Sequence, residues 1–176
     1  MSTWIVLLRG INVGGNNLLP MADLRSALEE RECEDVQTYI QSGNVVLRSA
    51  LRSAAQLQQQ VADAIEETRG FRVPVLALKA KELDAALEAN PFPHAQDEKA
   101  LHLFFLFAKP RKPDLEGIAA VAKASEEFEL LGRTFYLHAP EGIARSKAAA
   151  QVEKHLGVEG TGRNLRTARK LQDMAR

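Results

Sequence analysis

The stretch Val36-Gln37-Thr38-Tyr39-Ile40-Gln41-Ser42-Gly43-Asn44-Val45-Val46-Leu47 decides how the first half of the chain folds. Val36 to Ile40 and Val45 to Leu47 are short β-prone runs, and Gln41-Ser42-Gly43-Asn44 between them offers the backbone freedom of a tight hairpin. Helical patterns lie on both sides. Upstream, Pro20 suits a first helical turn, and Met21, Leu24, Ala27 and Leu28 recur at helical spacing, predicting a helix from about Pro20 to Arg31. Downstream, Ser53 is placed to cap a helix whose Leu57, Val61, Ala64 and Ile65 form an apolar stripe and which Gly70 ends. Beyond these helices lie two more strand-like runs, Trp4 to Arg9 and Phe71 to Leu78, the latter holding Pro74, which favours a sheet edge or a bulge. The order β-α-β-β-α-β is the split βαβ arrangement of a ferredoxin-like sandwich, and it assigns residues 1–79 to a first subdomain.

Residues 80–176 repeat much of this order. A short helix from Glu82 to Glu88 leads into Asn90-Pro91-Phe92-Pro93-His94, an extended linker because proline disfavours helix at the residue before it. Leu101 to Phe107 is apolar but for His102, as expected of a central strand. Lys109-Pro110-Arg111-Lys112-Pro113 breaks it, and Asp114 can cap a helix running to about Ala124. Phe128 to Leu131 and Thr134 to His138 flank Gly132-Arg133 as a second hairpin, followed by a helix from about Arg145 to Leu156. A last helix, roughly Arg163 to Ala175, stands where a fourth strand would complete the pattern. The expected fold class is α+β. Two ferredoxin-like subdomains have antiparallel sheets with helices packed on one face, the second (residues 80–176) ordered α-β-α-β-β-α-α with the extra C-terminal helix.

Composition narrows the function classes. The chain has 176 residues, 45% of them hydrophobic, which is ordinary for a globular protein. It holds no apolar run of the ~18 residues that a bilayer span needs, so no membrane association is expected. Trp4 to Leu8 follows Met1 with no basic stretch before it and reads as structure rather than a secretory signal. Cys33 is the sole cysteine, which excludes an intrachain disulfide framework and a Cys-rich zinc site and fits a cytoplasmic protein. Zero net charge hides an asymmetry: from Arg145 to Arg176, eight basic residues face three acidic ones.

The motifs Leu8-Arg9-Gly10-Ile11-Asn12-Val13-Gly14-Gly15 and Tyr39-Ile40-Gln41-Ser42-Gly43-Asn44-Val45-Val46 resemble the bacterial domain-of-unknown-function family numbered 1697. The resemblance continues through Asn90-Pro91-Phe92-Pro93, Arg145-Ser146-Lys147 and Gly160-Thr161-Gly162-Arg163-Asn164. Leu165 stands where the family usually has an aromatic residue. The resemblance implies two ferredoxin-like subdomains and carries no established activity, so no catalytic residue follows from it.

Arg9 to Asn17, with three glycines and three asparagines between a strand and a helix, can turn several backbone N–H groups toward one point. It is neither a dinucleotide fingerprint, because Asn12 replaces the second glycine, nor a P-loop, because no Lys-Ser or Lys-Thr follows Gly15. In a split βαβ unit the first two strands run in the same direction, so this loop and the Gln41–Asn44 hairpin should meet at one sheet edge. The expected site is therefore Arg9, Asn12, Gly14, Gly15, Gln41, Ser42 and Asn44, closed by Lys147, Arg163 and Asn164 from the second subdomain. Its expected ligand is a small anion, a nucleotide or a phosphorylated metabolite, and the sequence names no cofactor.

The rival expectation is an interaction module. Arg163, Arg166, Arg169 and Lys170 fall on one helical face that could meet a nucleic-acid backbone, or an exposed sheet could drive self-assembly. Interleaved aromatic, glycine and basic residues of an RNA-binding sheet are missing. His94, His102, His138 and His155 are scattered, and Glu126, Glu127 and Glu129 read as an acidic turn, so no metal site is expected. Ser146 beside Lys147 is no nucleophile and base, since helical neighbours point ~100° apart; Ser146 is a cap.

Overall fold

In the computed structural model, which describes Met1–Arg176, the N-terminal apolar run forms β1 (Ser2–Leu8), and all five residues from Trp4 to Leu8 are buried. The chain continues through α1 (Met21–Glu29), β2 (Glu34–Tyr39), β3 (Asn44–Ser49), α2 (Ala54–Arg69) and β4 (Val75–Lys79). These strands make one sheet in the order β2-β3-β1-β4, with every neighbouring pair antiparallel. Leu24 and Leu28 of α1 and Leu57, Val61 and Ile65 of α2 pack into one core with Val6, Leu8, Val45 and Leu47 of the sheet. Each such side chain stabilises the fold by roughly 1.5–3 kcal/mol relative to exposure. Ser53 caps α2 by accepting from the Gln56 N–H, and Gly70 ends it in the left-handed conformation. Pro74 lies just before the edge strand β4, where its carbonyl accepts the Arg9 N–H at 3.1 Å.

The rest of the chain comprises α3 (Ala80–Glu88), β5 (Leu101–Leu106), α4 (Leu115–Val121), β6 (Glu127–Leu131), β7 (Thr134–His138), α5 (Lys147–Leu156), β8 (Gly160–Asn164) and α6 (Leu165–Met174). Its sheet has the order β6-β7-β5-β8, matching the first, again with antiparallel neighbours. The strand β8 corrects the sequence reading, which placed only a helix here. Gly160-Thr161-Gly162-Arg163-Asn164 has no apolar alternation, and its glycines conceal the strand. Contacts with β5 leave little room for a side chain at these two positions: a Cβ on Gly162 would lie 3.0 Å from the Phe104 ring, and one on Gly160 2.9 Å from a Leu106 methyl. The second fold therefore has its fourth strand, and α6 follows it rather than replacing it.

By contacts the chain divides into a first unit of Met1–Ala85 with Lys170–Arg176, and a second of Ala86–Arg169. Within the first unit, the Gln172 amide donates to Asp84 at 2.7 Å. Within the second, Ile118, Phe135, Leu137, Val152 and Leu156 form the core, and the Tyr136 hydroxyl donates to the Ala86 carbonyl at 2.6 Å. No helix is long and apolar enough to cross a membrane.

Candidate functional site

Asn12 joins the two loops that the topology brings together. Its side-chain amide donates to the Gln41 carbonyl at 2.8 Å and to the Leu19 carbonyl at 2.9 Å, while its carbonyl oxygen accepts the Leu19 N–H at 2.8 Å. The residue is held at φ +52°, a left-handed conformation that asparagine tolerates better than most residues. One short side chain thus fixes the glycine-rich loop, its exit into α1 and the β2–β3 turn in a single arrangement.

The glycine-rich loop is itself a small hairpin. The Asn12 N–H donates to the Asn17 carbonyl, the Asn16 N–H to the Val13 carbonyl, and Asn17 Nδ2 to the Gly10 carbonyl at 3.0 Å. Gly14 and Gly15 form its two-residue tip with φ +57° and +76°. Positive values at both central positions define a turn that two glycines adopt without strain. Both are exposed, and their N–H groups have no intramolecular acceptor. Val13, Leu18 and Ile40 are large apolar residues that are also exposed, at 62%, 55% and 52%. Asp23 lies in the first turn of α1 and pairs with Arg69 at 3.5 Å, so a carboxylate already occupies the electropositive end of that helix.

The other expected residues divide by role. Arg9 is half-buried where the chain leaves β1, and Gln41 and Ser42 are exposed in the turn between β2 and β3. Asn44 is the first residue of β3 and fully buried; its amide donates to the Tyr39 carbonyl at 3.1 Å and to Ser42 Oγ at 3.0 Å, so it shapes the turn from beneath. Gly43 passes so close to β1 that a Cβ there would lie 2.6 Å from that of Leu8. Lys147, Arg163 and Asn164 belong to the second unit. Lys147 is exposed at the start of α5, which Ser146 caps by accepting the Ala149 N–H at 3.0 Å. Asn164 caps α6 by accepting the Thr167 N–H at 2.9 Å.

Arg163 lies in β8, donating to Thr161 Oγ1 and the Gly162 carbonyl, each at 2.8 Å. Burial pushes its guanidinium down to about 10, which leaves it a cation at neutral pH. Arg163 is therefore outside the helical face on which the sequence reading placed it, and Arg169 on that face is paired with Glu98. The basic stripe of α6 is shorter than its sequence implies.

Folding also unites residues that the sequence scatters. Glu127 hydrogen-bonds His94 at 3.1 Å and lies beside His138 at 3.6 Å. Hairpin register gave the signal that was missed: counting outward from Gly132-Arg133 sets Glu127 opposite His138. Nothing comparable marks His94, which arrives on the proline-rich linker.

The chain is similar to a solved structure titled as that of the conserved bacterial protein SP0830 from Streptococcus pneumoniae, with 26% identity, a TM-score of 0.71 and 99% of each chain covered. No curated protein matches. The model of the family described as "Protein of unknown function (DUF1697)" matches residues 1–136, and the chain belongs to that family.

Proposed function

We propose that the loop edge of the first unit binds a small anionic ligand, a nucleotide or a phosphorylated metabolite. The observation that supports this reading is the Asn12 clasp, which holds the glycine hairpin against the Gln41 turn while the exposed Gly14 and Gly15 keep N–H groups without an intramolecular acceptor. Donors fixed in advance lose little entropy when an anion arrives. Arg9 brings a positive charge suited to charge-assisted hydrogen bonds with an anion. Gln41 and Ser42 supply neutral donors for orientation. The exposed Val13 and Ile40 side chains favour a ligand with an apolar, planar part beside its charge, as in a nucleotide.

The test is the melting temperature against nucleotides, phosphorylated metabolites, simple anions and a short single-stranded RNA at two salt concentrations. A ligand at about 100 times its dissociation constant stabilises by roughly 2.7 kcal/mol, a shift of several degrees in a chain of this size. The expected result is a shift with one anion class that Arg9→Ala abolishes and Gln41→Ala weakens. A panel without a shift overturns the reading. A shift with RNA alone, confined to low salt, would instead place function on the basic residues of α6.

A further inference from the structure

The second unit holds a cluster of two imidazoles and one carboxylate that its core packing does not use. Glu127 opens β6 and His138 closes β7, and the two are direct partners in the antiparallel register. Cross-strand partners project on the same face, a few ångströms apart. His94 comes from outside the sheet, two residues after Phe92, which is buried and flanked by Pro91 and Pro93. The Phe92 ring lies 6.1 Å from that of His94 and 6.5 Å from that of His138, so one anchored aromatic positions both imidazoles. The two imidazole rings are 6.0 Å apart and nearly perpendicular.

The donor atoms converge. His94 Nε2 is 3.1 Å and His138 Nδ1 3.6 Å from the same Glu127 oxygen, and the three donors all lie within 4.8 Å of one another. Donors about 2.1 Å from one ion are ~3.0 Å apart in octahedral and ~3.4 Å apart in tetrahedral geometry. Both measured spacings are near those values. His138 Nδ1 is also buried with no hydrogen-bond partner, because 3.6 Å is too long for one to Glu127. An unsatisfied buried nitrogen aimed at a carboxylate is a cost that a cation between them would remove.

We infer that His94, Glu127 and His138 form a binding site for a divalent transition-metal ion, zinc foremost among them. Two neutral imidazoles and a carboxylate suit an ion of borderline softness rather than calcium or magnesium, which prefer oxygen. His94 and Glu127 are exposed on the outer side, leaving the remaining coordination positions to water or to a ligand's oxygen. Three protein ligands with open positions are the pattern of catalytic rather than structural zinc.

Tag-free protein stripped with a chelator would be titrated with Zn²⁺ by calorimetry, and with Co²⁺ by visible absorption. One equivalent of Zn²⁺ is expected to bind, and Co²⁺ should develop the absorption of a nitrogen-and-oxygen site. His94→Ala and Glu127→Gln should each weaken Zn²⁺ at least about tenfold, since even outer-shell changes cost metal sites that much. His94 is exposed, so its variant should keep the circular dichroism of the parent and separate ligand loss from unfolding. His155→Ala, which removes a histidine paired with Asp114 and Gln151, should bind as the parent does. Absence of Zn²⁺ binding, or binding unchanged by His94→Ala, would overturn the assignment. Neither result bears on Arg9 and the loop edge.

Discussion

Replacing Asn12 tests the clasp on which the loop edge depends. Asn12→Ala removes three hydrogen bonds, of 2.8, 2.8 and 2.9 Å, and leaves a non-glycine residue at φ +52° without a local compensating contact. The edge is half open to water, so each bond is assigned the low end of its net range, about 0.5 kcal/mol, or roughly 1.5 kcal/mol for the set. The left-handed backbone adds ~1 kcal/mol for alanine. The expected loss is therefore ~2.5 kcal/mol. Asn12→Gly loses the same bonds without the backbone penalty, so it should be the more stable of the two by ~1 kcal/mol. Urea unfolding followed by Trp4 fluorescence reads this directly, because the chain's single tryptophan is buried in the first unit. Hydrogen exchange at the Leu19 amide, which donates to Asn12, should speed up in both variants. A loss below ~0.5 kcal/mol for Asn12→Ala, or equal losses for alanine and glycine, would refute the reasoning.

Three other outcomes follow from the same geometry. Gly43→Ala would set a Cβ 2.6 Å from that of Leu8 at φ +85°; overpacking and backbone strain together should cost ~2–4 kcal/mol in the same urea assay. Cys33 is buried, which pushes its thiol up, so Ellman's reagent should react with it only as fast as the first unit opens, and immediate reaction with native protein would contradict its burial. Burial holds His102 below its ordinary 6.5, so the unfolded chain takes up the proton first as pH falls. Its contribution is complete above about pH 6.5 and lost at up to ~1.4 kcal/mol per pH unit below it until the folded imidazole titrates. The unfolding free energy of His102→Gln should fall less than that of the parent between about pH 7 and pH 5, and parallel curves would rule the effect out.

Most of the fold is legible because its elements announce themselves locally. The stripe Leu57, Val61, Ala64, Ile65 has helical spacing with a serine before it and a glycine after it, and the runs around Gln41–Asn44 are β-prone. β8 was hidden because strand identity there is imposed by its neighbour: Gly160 and Gly162 are selected by contact with Leu106 and Phe104, and neither advertises a strand. At the loop edge, chain direction alone predicts that the Arg9–Asn17 loop meets the hairpin, and the 2.8 Å bond from Asn12 to the Gln41 carbonyl joins them. Sequence could not say that Asn12 and Asn44 have their side chains turned to holding the loops together. That is decided by hydrogen bonds between positions 29 and 5 residues apart, which no local pattern encodes.

The first unit draws its residues from both ends of the chain, since Lys170–Arg176 groups with Met1–Ala85 and Gln172 reaches Asp84. During synthesis its sheet can assemble early, while the closing segment arrives only after the whole second unit has been made. The late segment acts as a latch. A nascent or truncated chain ending at Arg169 would present Asp84 and its surroundings uncovered, so loss of a few terminal residues should first be felt by the oldest part of the protein.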